Sequence, residues 1–312
     1  MNQIFKLKNK KLKEVESTVF NLEKDIQTIV ENNTEELFDI KLIKSEFSVG
    51  GYRIDSLCFD EESSSFVIVE YKRDKSYSIV DQGYSYLSTM LNNKSDFVLE
   101  LIENSDLNKK KDQIDWSQSK IIFVSPSFSS HQKNSVNFKD VPFELWEISK
   151  FSNDLIGLNQ ITSTSKESIT KIGGNKGSMI SNVGKEIEVY DEDIHLNRVS
   201  PKVKDLYLEL KERISTWDDI NFNYKKRYIS VSKGKKIKIY LNLQKEQIKI
   251  HLLRRISFKG DVKSSKISFT LKDPDKLFKL RKLKYKERYE YFLKDYKKLD
   301  YLVLLLKQKY DS

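Results

Sequence analysis

The stretch from residue 50 to 73, GGYRIDSLCFDEESSSFVIVEYKR, constrains the fold of this chain more than any other. Residues 52–59 and 66–72 alternate in polarity and are bounded by turn residues, which is typical of β-strands. The polar run between them predicts an antiparallel hairpin centred between Glu62 and Ser63. In that register Phe59 opposes Phe66 and Leu57 opposes Ile68, so we expect this side of the sheet to be buried.

The same register places charged residues on the apolar side. It opposes Asp55 to Glu70 and Arg53 to Lys72. Like charges directly opposite each other destabilise a sheet, and an ionised carboxylate in apolar surroundings is costly. A hard cation such as Mg²⁺ between the two carboxylates would remove both penalties. Lys72 could then hold a water at the metal, which is an arrangement for metal-assisted phosphodiester hydrolysis. The alternative is an ordinary hairpin whose polar ends reach solvent, with Lys72 pairing to Glu70.

Two further features favour the catalytic interpretation. Helical spacing over 15–30 places Glu23 on an apolar stripe, where a carboxylate needs a partner such as the same cation. Gln82 and Tyr86 lie four apart in a predicted helix over about 80–91 and could bind a phosphate or a base edge. The alternatives are a stripe-edge Glu23 that reaches water and routine polarity of the second helix.

These residues, in this order, resemble the PD-(D/E)XK nuclease superfamily. The similarity is closest to its NucS-like branch, and Ile54 replaces the proline of the superfamily's name. The segments 21–27, 45–47, 53–55 and 69–73 resemble a bacterial family with a nuclease-like core and a C-terminal domain of unknown role. This resemblance is good over about 15–160, and some members of the family carry the label "predicted transport protein".

The resemblance implies a fold and a set of roles. The fold is α/β, a restriction-endonuclease-like core with a central mixed sheet and flanking helices, followed by a smaller basic α+β domain. Asp55 and Glu70 are the implied metal ligands and Lys72 the catalytic lysine. Glu23 is the implied helix carboxylate of the metal site, and Gln82 and Tyr86 are the implied accessory pair. The backbone carbonyl of Tyr71 is a further candidate ligand for Mg²⁺, for which Mn²⁺ can substitute.

Composition limits the class of protein. The chain has 312 residues, enough for two domains, and charged residues make up 33% of it, against about a quarter in average soluble proteins. No apolar run approaches the ~20 residues of a membrane helix, and the basic start has no apolar stretch after it that would indicate a secretory signal. One cysteine, Cys58, and three histidines argue against disulfides and a zinc site. We expect a reduced, cytoplasmic setting and a small, buried Cys58.

Charge divides the chain into two parts. Residues 1–200 contain 25 Lys/Arg and 32 Asp/Glu, whereas residues 201–312 contain 31 and 14. A basic domain attracts phosphate backbones, and interleaved aromatic rings can stack on unpaired bases. The alternatives are solvated lysines with inward-facing aromatics, or an anionic membrane surface. The predicted nucleic-acid contacts are Lys225, Lys226, Arg227, Lys235, Lys236, Arg254 and Arg255.

Further patterns set the expected organisation. We predict a nuclease-like domain over 1–162, a linker over 163–197 because much of it is rich in Ser, Thr, Gly and Asn, and a basic domain over 198–312. Short strands are predicted at 121–124, 142–148, 155–161, 227–232, 236–243 and 246–253. A helix is predicted over 201–216 with Ser200 as N-cap, and a long terminal helix over 287–309.

Three functions remain open on these grounds. The first is a Mg²⁺-dependent endonuclease that cuts DNA, in defence against foreign DNA or in repair, with a homodimer as a possible assembly. The second is a non-catalytic nucleic-acid-binding or regulatory protein on a nuclease-like scaffold. A transport-associated factor, indicated only by the family label, ranks last.

Overall fold

The computed structural model describes residues 3–73, 78–107, 109–169, 178–234, 236–256, 267–282 and 286–312. The chain divides into two compact units, Met1–Val189 and Tyr190–Ser312. Each unit has its own sheet and its own apolar core.

The first unit alternates strands and helices. Its regular elements are, in chain order, β1 (Ile4–Lys8), β2 (Lys11–Val15), β3 (Ser17–Thr18), α1 (Glu23–Glu31), α2 (Thr34–Phe38), β4 (Lys41–Val49), β5 (Tyr52–Asp60), β6 (Ser65–Tyr71), α3 (Ile79–Asn92), α4 (Lys94–Glu103), β7 (Lys120–Ser125), α5 (Ser130–Ser135), β8 (Phe143–Phe151), β9 (Leu155–Ile161) and α6 (Met179–Glu186).

The main sheet of this unit is mixed, as the resemblance implied. The strand order is β3-β8-β7-β6-β5-β4, with β9 pairing to β8, and β1 and β2 form a separate two-stranded sheet. The pairs β6–β7 and β7–β8 are parallel, and the remaining pairs are antiparallel. All seven residues of the central strand β6 are buried, because helices cover both faces of the sheet.

The two faces of the sheet pack on different helices. Leu57, Phe66 and Ile68 face the helix α3, where Leu87 joins their cluster. Cys58, Val67 and Val69 face the helix α1 and pack with its apolar residues. Successive residues of a strand point to opposite faces, so α1 and α3 lie on opposite sides of the β5–β6 hairpin. Cys58 is buried, as predicted.

The predicted hairpin register is confirmed over its paired length. Phe59 pairs with Phe66 and Leu57 with Ile68, and the pairing continues to Ser56 opposite Val69. Beyond that point a side chain replaces the ladder, because the carboxylate of Asp55 accepts the backbone N–H of Tyr71 at 3.0 Å.

The predicted start of the first helix was wrong. Val15 belongs to β2, the side chain of Val19 is 80% exposed, and the helix begins only at Glu23. Lys11–Val15 pairs with β1 instead, so strand pairing overrides the helical spacing of the apolar residues. Glu23 is therefore the first, exposed residue of α1 and does not lie on a buried stripe.

The second unit combines an antiparallel sheet with helices. Its regular elements are α7 (Glu192–Leu196), α8 (Pro201–Ser215), β10 (Ile220–Lys225), β11 (Tyr228–Lys233), β12 (Lys236–Gln244), β13 (Gln247–Ile256), β14 (Lys279–Lys282), β15 (Lys286–Leu293) and α9 (Leu299–Tyr310). The strand order is β10-β11-β12-β13-β15-β14. Leu206 and Leu210 of α8 and Leu302 and Leu306 of α9 share one buried cluster with the sheet.

The predicted terminal helix over 287–309 was wrong in its first half. Lys286–Leu293 is the strand β15, which pairs with β13 on one side and β14 on the other. The helix begins at Leu299. The apolar residues of the strand segment fit both the helix period and the strand period. Pairing with two neighbouring strands stabilises its extended form. The helix α8 begins at Pro201 as predicted, although the Ser200 side chain makes no capping hydrogen bond.

Part of the segment predicted as a linker is folded. Ser178 caps α6 by accepting the backbone N–H of Ser181 at 3.2 Å, and Val183 and Ile187 are buried in the core that also contains α3. The boundary between the units consequently falls between Val189 and Tyr190. Residues 170–177 lie outside the described part of the chain.

No helix in the described ranges is both long and apolar enough to cross a membrane.

Candidate functional site

Glu70 is the one charged residue in the buried strand β6. It is 3% exposed. Its Oε1 accepts hydrogen bonds from Lys72 Nζ at 2.8 Å and from Gln82 Nε2 at 2.6 Å, whereas its buried Oε2 has no partner among the described residues. Burial raises the pKa of Glu70 to about 7, the charge of Asp55 adds to the rise, and Lys72 and Gln82 oppose it.

Asp55 lies beside Glu70, near the end of the paired hairpin. Its Oδ2 accepts the backbone N–H of Tyr71 at 3.0 Å. Burial raises the pKa of Asp55, and the charge of Glu23 adds to the rise. The Tyr71 N–H and the charge of Lys72 oppose it. Two neighbouring carboxyl groups with raised pKa values hold a proton easily near neutral pH, or take up a cation in its place.

The helix α3 brings an amide and a phenol to the same carboxylate. Ser78 caps this helix by accepting the backbone N–H of Asp81. Gln82 and Tyr86 follow on one face, and Gln82 Nε2 donates to the Tyr86 hydroxyl at 2.9 Å. The hydroxyl lies 3.1 Å from the backbone oxygen of Arg53 and 3.4 Å from Glu70 Oε1. Gln82 and Tyr86 therefore fix the carboxylate of Glu70 from the α3 side.

The structure brings together five of the six predicted catalytic residues: Asp55, Glu70, Lys72, Gln82 and Tyr86. We call this cluster the Asp55–Glu70 site. Its elements are the first half of β5, the end of β6 and the first half of α3.

Glu23 lies beside this cluster, near enough for its charge to raise the pKa of Asp55. It begins α1, whose buried residues pack on the other face of the sheet, and its Oε2 accepts the backbone N–H of Arg73 at 2.9 Å. In the part of the chain that the structure describes, no group of three His, Cys, Asp or Glu side chains could hold a metal ion. The expected convergence of three carboxylates on one cation stays a prediction: Glu23 begins α1 and accepts the Arg73 N–H, and its charge reaches Asp55.

Sequence reasoning missed a polar network on the opposite face. Ser56 Oγ donates to Glu31 Oε1 at 2.7 Å and lies 3.0 Å from the Tyr71 hydroxyl. Gln27 Nε2 donates to Glu31 Oε1 at 2.9 Å and to the backbone oxygen of Asp55 at 3.2 Å. The network ties α1 to the backbone that carries Asp55. The four-residue spacing of Gln27 and Glu31 was the available signal.

The donor set of the Asp55–Glu70 site fits a hard divalent cation. Mg²⁺ is usually bound through one or two carboxylates, with water in the remaining positions. Asp55 and Glu70 supply two carboxylates, and the buried Glu70 Oε2 is an oxygen with no described hydrogen-bond donor. A cation there would replace the missing donor.

The predicted nucleic-acid contacts of the second unit have mixed surroundings. Lys226 and Arg227 form the turn between β10 and β11, next to Lys225. Lys236 is exposed at the start of β12. Arg254 instead pairs with Glu287 at 2.6 Å, which neutralises its charge. Lys235 and the side chain of Arg255 lie outside the described residues.

The aromatic residues near these lysines divide into two groups. Tyr224 and Tyr289 pack against the core, as the inward-facing alternative expected. The Tyr228 ring contacts Tyr240 on the neighbouring strand, with centroids 5.4 Å apart, and Tyr240 stacks on His251 at 4.7 Å. These three rings form a row across β11, β12 and β13.

Fold and site together define a class: a mixed α/β protein with a buried carboxylate, a half-buried carboxylate and a lysine on the central strands of its sheet. The chain is 42% identical over 249 residues to a Haemophilus influenzae protein described as an uncharacterized protein, and the match covers 80% of this chain and 82% of that one. The chain belongs to the same family as that protein. No family model matches the chain.

Three solved structures are similar to parts of the chain. A complex of EndoMS with double-stranded DNA is 19% identical, with 38% of this chain and 41% of that one covered and a TM-score of 0.27. A repair endonuclease from Pyrococcus abyssi is 18% identical, with 38% and 44% covered and a TM-score of 0.22. SfsA from Pyrococcus furiosus in complex with Ca²⁺ is 16% identical, with 44% and 61% covered and a TM-score of 0.22. This chain spans less than two thirds of each.

Proposed function

We propose that this protein is a Mg²⁺-dependent endonuclease that hydrolyses phosphodiester bonds of DNA. The observation that carries the proposal is the buried Glu70, whose unpartnered Oε2 lies in a site shared with Asp55 and Lys72. A protein that only needed a stable sheet would gain by replacing Glu70 with an apolar residue, because burying this carboxylate costs free energy.

Asp55 and Glu70 are the proposed ligands of the cation, with the backbone carbonyl of Tyr71 as a third. Glu23, at the rim, is proposed to act only through water. Bound Mg²⁺ supplies charge stabilisation at the phosphate and lowers the pKa of a bound water. Mn²⁺ is the expected substitute.

Lys72 is the proposed catalytic lysine. It is 13% exposed and held at 2.8 Å from Glu70 Oε1, so its ammonium group is fixed at the site. There it can orient a water and stabilise negative charge that develops on the phosphate. Gln82 and Tyr86 position Glu70 through their hydrogen bonds, and their polar groups face the same carboxylate oxygen.

Other parts of the proposal concern the setting. We place the first unit in the PD-(D/E)XK superfamily, near its NucS-like branch, with a restriction-endonuclease-like core. The basic second unit holds the DNA backbone, since the first unit carries an excess of acidic residues. Defence against foreign DNA or repair, in the cytoplasm, is the proposed role, with a homodimer as the proposed assembly.

The test is nicking of circular and linear DNA by purified protein with Mg²⁺, with Mn²⁺ and with EDTA. Asp55→Asn and Lys72→Met should each abolish cleavage and retain DNA binding. The matched controls are Asp112→Asn and Lys150→Met, which remove the same charges from exposed positions. Cleavage by the Lys72 variant at the parent rate would disprove the mechanism.

A non-catalytic DNA-binding or regulatory protein is the second candidate. It is favoured by the absence of a three-carboxylate cluster in the described ranges. In that case the Lys72–Glu70 pair serves only to neutralise a buried charge. DNA binding that needs no divalent cation, with no nicking of any substrate in either metal, would establish this alternative.

A further inference from the structure

The strands β1 and β2 form a two-stranded ribbon that is separate from both large sheets. At its base, Ile4 pairs with Val15, and Val15 is buried. Toward its tip the ribbon is exposed on both faces, since every residue from 5 to 14 is exposed. An isolated two-stranded ribbon is only marginally stable in water. Because the tip of this ribbon packs on no core in the described residues, core packing does not explain which residues occupy its two faces.

One face of this ribbon consists of lysines. Lys6 pairs directly with Lys13, and Lys8 pairs with Lys11, so four ammonium groups point to one side. Like charges directly opposite each other destabilise an antiparallel pair. None of these lysines has an ion-pair partner among the described residues. The only acidic residue of the two strands, Glu14, lies on the other face, opposite Phe5.

The turn adds a fifth lysine at the tip. Asn9 and Lys10 form the two-residue connection, with φ values of 50° and 62°. Positive φ at both positions is the geometry of a type I′ turn, in which glycine is strongly preferred at the second position. Lysine there is strained relative to glycine, by about 1 kcal/mol.

The ribbon also contrasts with the unit that carries it. Residues 1–189 contain 29 Asp/Glu and 24 Lys/Arg, and five of those lysines lie in the ten residues from 4 to 13. An excess of negative charge repels DNA, whereas a concentrated group of ammonium groups attracts it. Alternate residues of a strand are spaced by about 6.6–6.8 Å, so the four lysines form a compact grid suited to successive phosphates.

We propose that the lysine face of this ribbon binds the sugar–phosphate backbone of double-stranded DNA. A two-stranded ribbon has the width to lie in or along the major groove. Anions bound to the lysine face would remove the repulsion within the pairs Lys6–Lys13 and Lys8–Lys11. This inference rests on the proposed function, because DNA is the substrate proposed there. Binding of DNA through the ribbon does not, however, require that the protein cleave it.

The test measures binding to a fluorescent DNA duplex of ~20 base pairs by anisotropy, in EDTA so that no cleavage occurs. The full-length chain is compared with a variant that has four substitutions: Lys6→Gln, Lys8→Gln, Lys11→Gln and Lys13→Gln. Each phosphate contact contributes about 0.9 to the slope of log affinity against log salt, so the variant should lose about 3.6 from that slope. Between about 50 and 200 mM salt, the parent should lose about 150-fold more affinity than the variant.

A matched control removes four charges elsewhere in the same unit, at exposed positions. It carries Lys110→Gln, Lys111→Gln, Lys150→Gln and Lys166→Gln. Both variants have the same net charge, so a difference between their slopes measures local contact. Equal slopes would overturn the inference. The ribbon variant should be no less thermally stable than the parent, because it loses two repulsive pairs.

Vesicles of phosphatidylserine and phosphatidylcholine provide the competing ligand. The other ribbon face exposes Leu7 and Leu12, at 68% and 67%. Vesicle binding that is lost on Leu7→Ser with Leu12→Ser, together with unchanged DNA binding by the lysine variant, would overturn the inference in favour of a lipid surface. If the lysine variant loses DNA binding while neither metal supports nicking by the parent, the ribbon inference stands and the proposed endonuclease fails.

Discussion

Replacement of Glu70 by glutamine should stabilise the first unit at neutral and alkaline pH in the absence of metal. Glutamine keeps the shape of the side chain and an oxygen that can accept from Lys72 and Gln82. Its amide nitrogen would occupy the position of Oε2, the buried atom without a described partner. The variant removes the charge that is costly to bury and leaves the packing of β6 intact.

The sign follows from the raised pKa of Glu70. Below about pH 4.5 the Glu70 carboxyl is protonated in both the folded and the unfolded chain, so the free-energy cost of burying its charge is absent. Between pH 4.5 and about 7 the unfolded chain releases the proton while the folded chain retains it, so stability falls as pH rises. Above about pH 7 the whole cost applies. At about 1.4 kcal/mol per pH unit between the two pKa values, it amounts to about 3 kcal/mol.

The assay is urea unfolding followed by tryptophan fluorescence between pH 4.5 and 8.5 in EDTA. Trp116 and Trp146 lie in the first unit and Trp217 in the second, so a Trp217→Phe background reports on the first unit alone. The parent should lose about 3 kcal/mol more stability than the Glu70→Gln variant as pH rises from 4.5 to 8.5.

Two results would refute this reasoning. One is a parallel loss of stability in parent and variant across the range, which would mean that Glu70 is not the titrating group. The other is a variant that is less stable than the parent at pH 8, which would mean that the carboxylate is stabilised as an ion. Saturating Mg²⁺ should restore stability to the parent above pH 7 and leave the variant less affected.

Three further changes test the packing by urea or thermal unfolding. Gly83→Ala should destabilise by about 1–3 kcal/mol despite the better helix propensity of alanine, because its Cβ would overlap the Phe143 ring, and a more stable variant would contradict the packing. Leu206→Ala should cost the second unit about 2–5 kcal/mol, since the side chain is fully buried, and a loss below about 1 kcal/mol would contradict that burial. Ser56→Ala should cost about 1–3 kcal/mol of stability through the lost hydrogen bond to the Glu31 carboxylate. In a Glu31→Gln background the same substitution should cost much less, because the hydrogen bond to a charged group is already gone, and an undiminished cost would contradict this role of the bond.

The hairpin was predictable because its information is local. Alternation over 52–59 and 66–72 and a polar turn are enough to set which residues oppose each other, and a slip by one residue would turn every apolar side chain outward. The same period put Asp55, Glu70 and Lys72 on one face. The four-residue spacing of Gln82 and Tyr86 is likewise local, because it depends only on the helix period.

The position of Glu23 was not predictable in this way. The apolar residues from Val15 to Val30 fit one helix, but the first of them pairs with β1 in a ribbon. That pairing depends on a strand whose own sequence shows little more than lysines and exposed apolar residues. The start of α1, and with it the placement of Glu23, depends on pairing between separate segments of the chain. The spacing of apolar residues within a single segment does not determine it.

Sequence alone determined the pairing within the hairpin, the strand and helix periods of most segments, and the acidic–basic division of the chain, because each depends on neighbours a few residues apart. The tertiary structure decided which carboxylates meet. Asp55 and Glu70 share a site because their strands are adjacent, whereas Glu23 lies on a helix that packs against the other face. Lys286–Leu293 became a strand for the same reason, since two flanking strands offered backbone partners that a helix would have left unused.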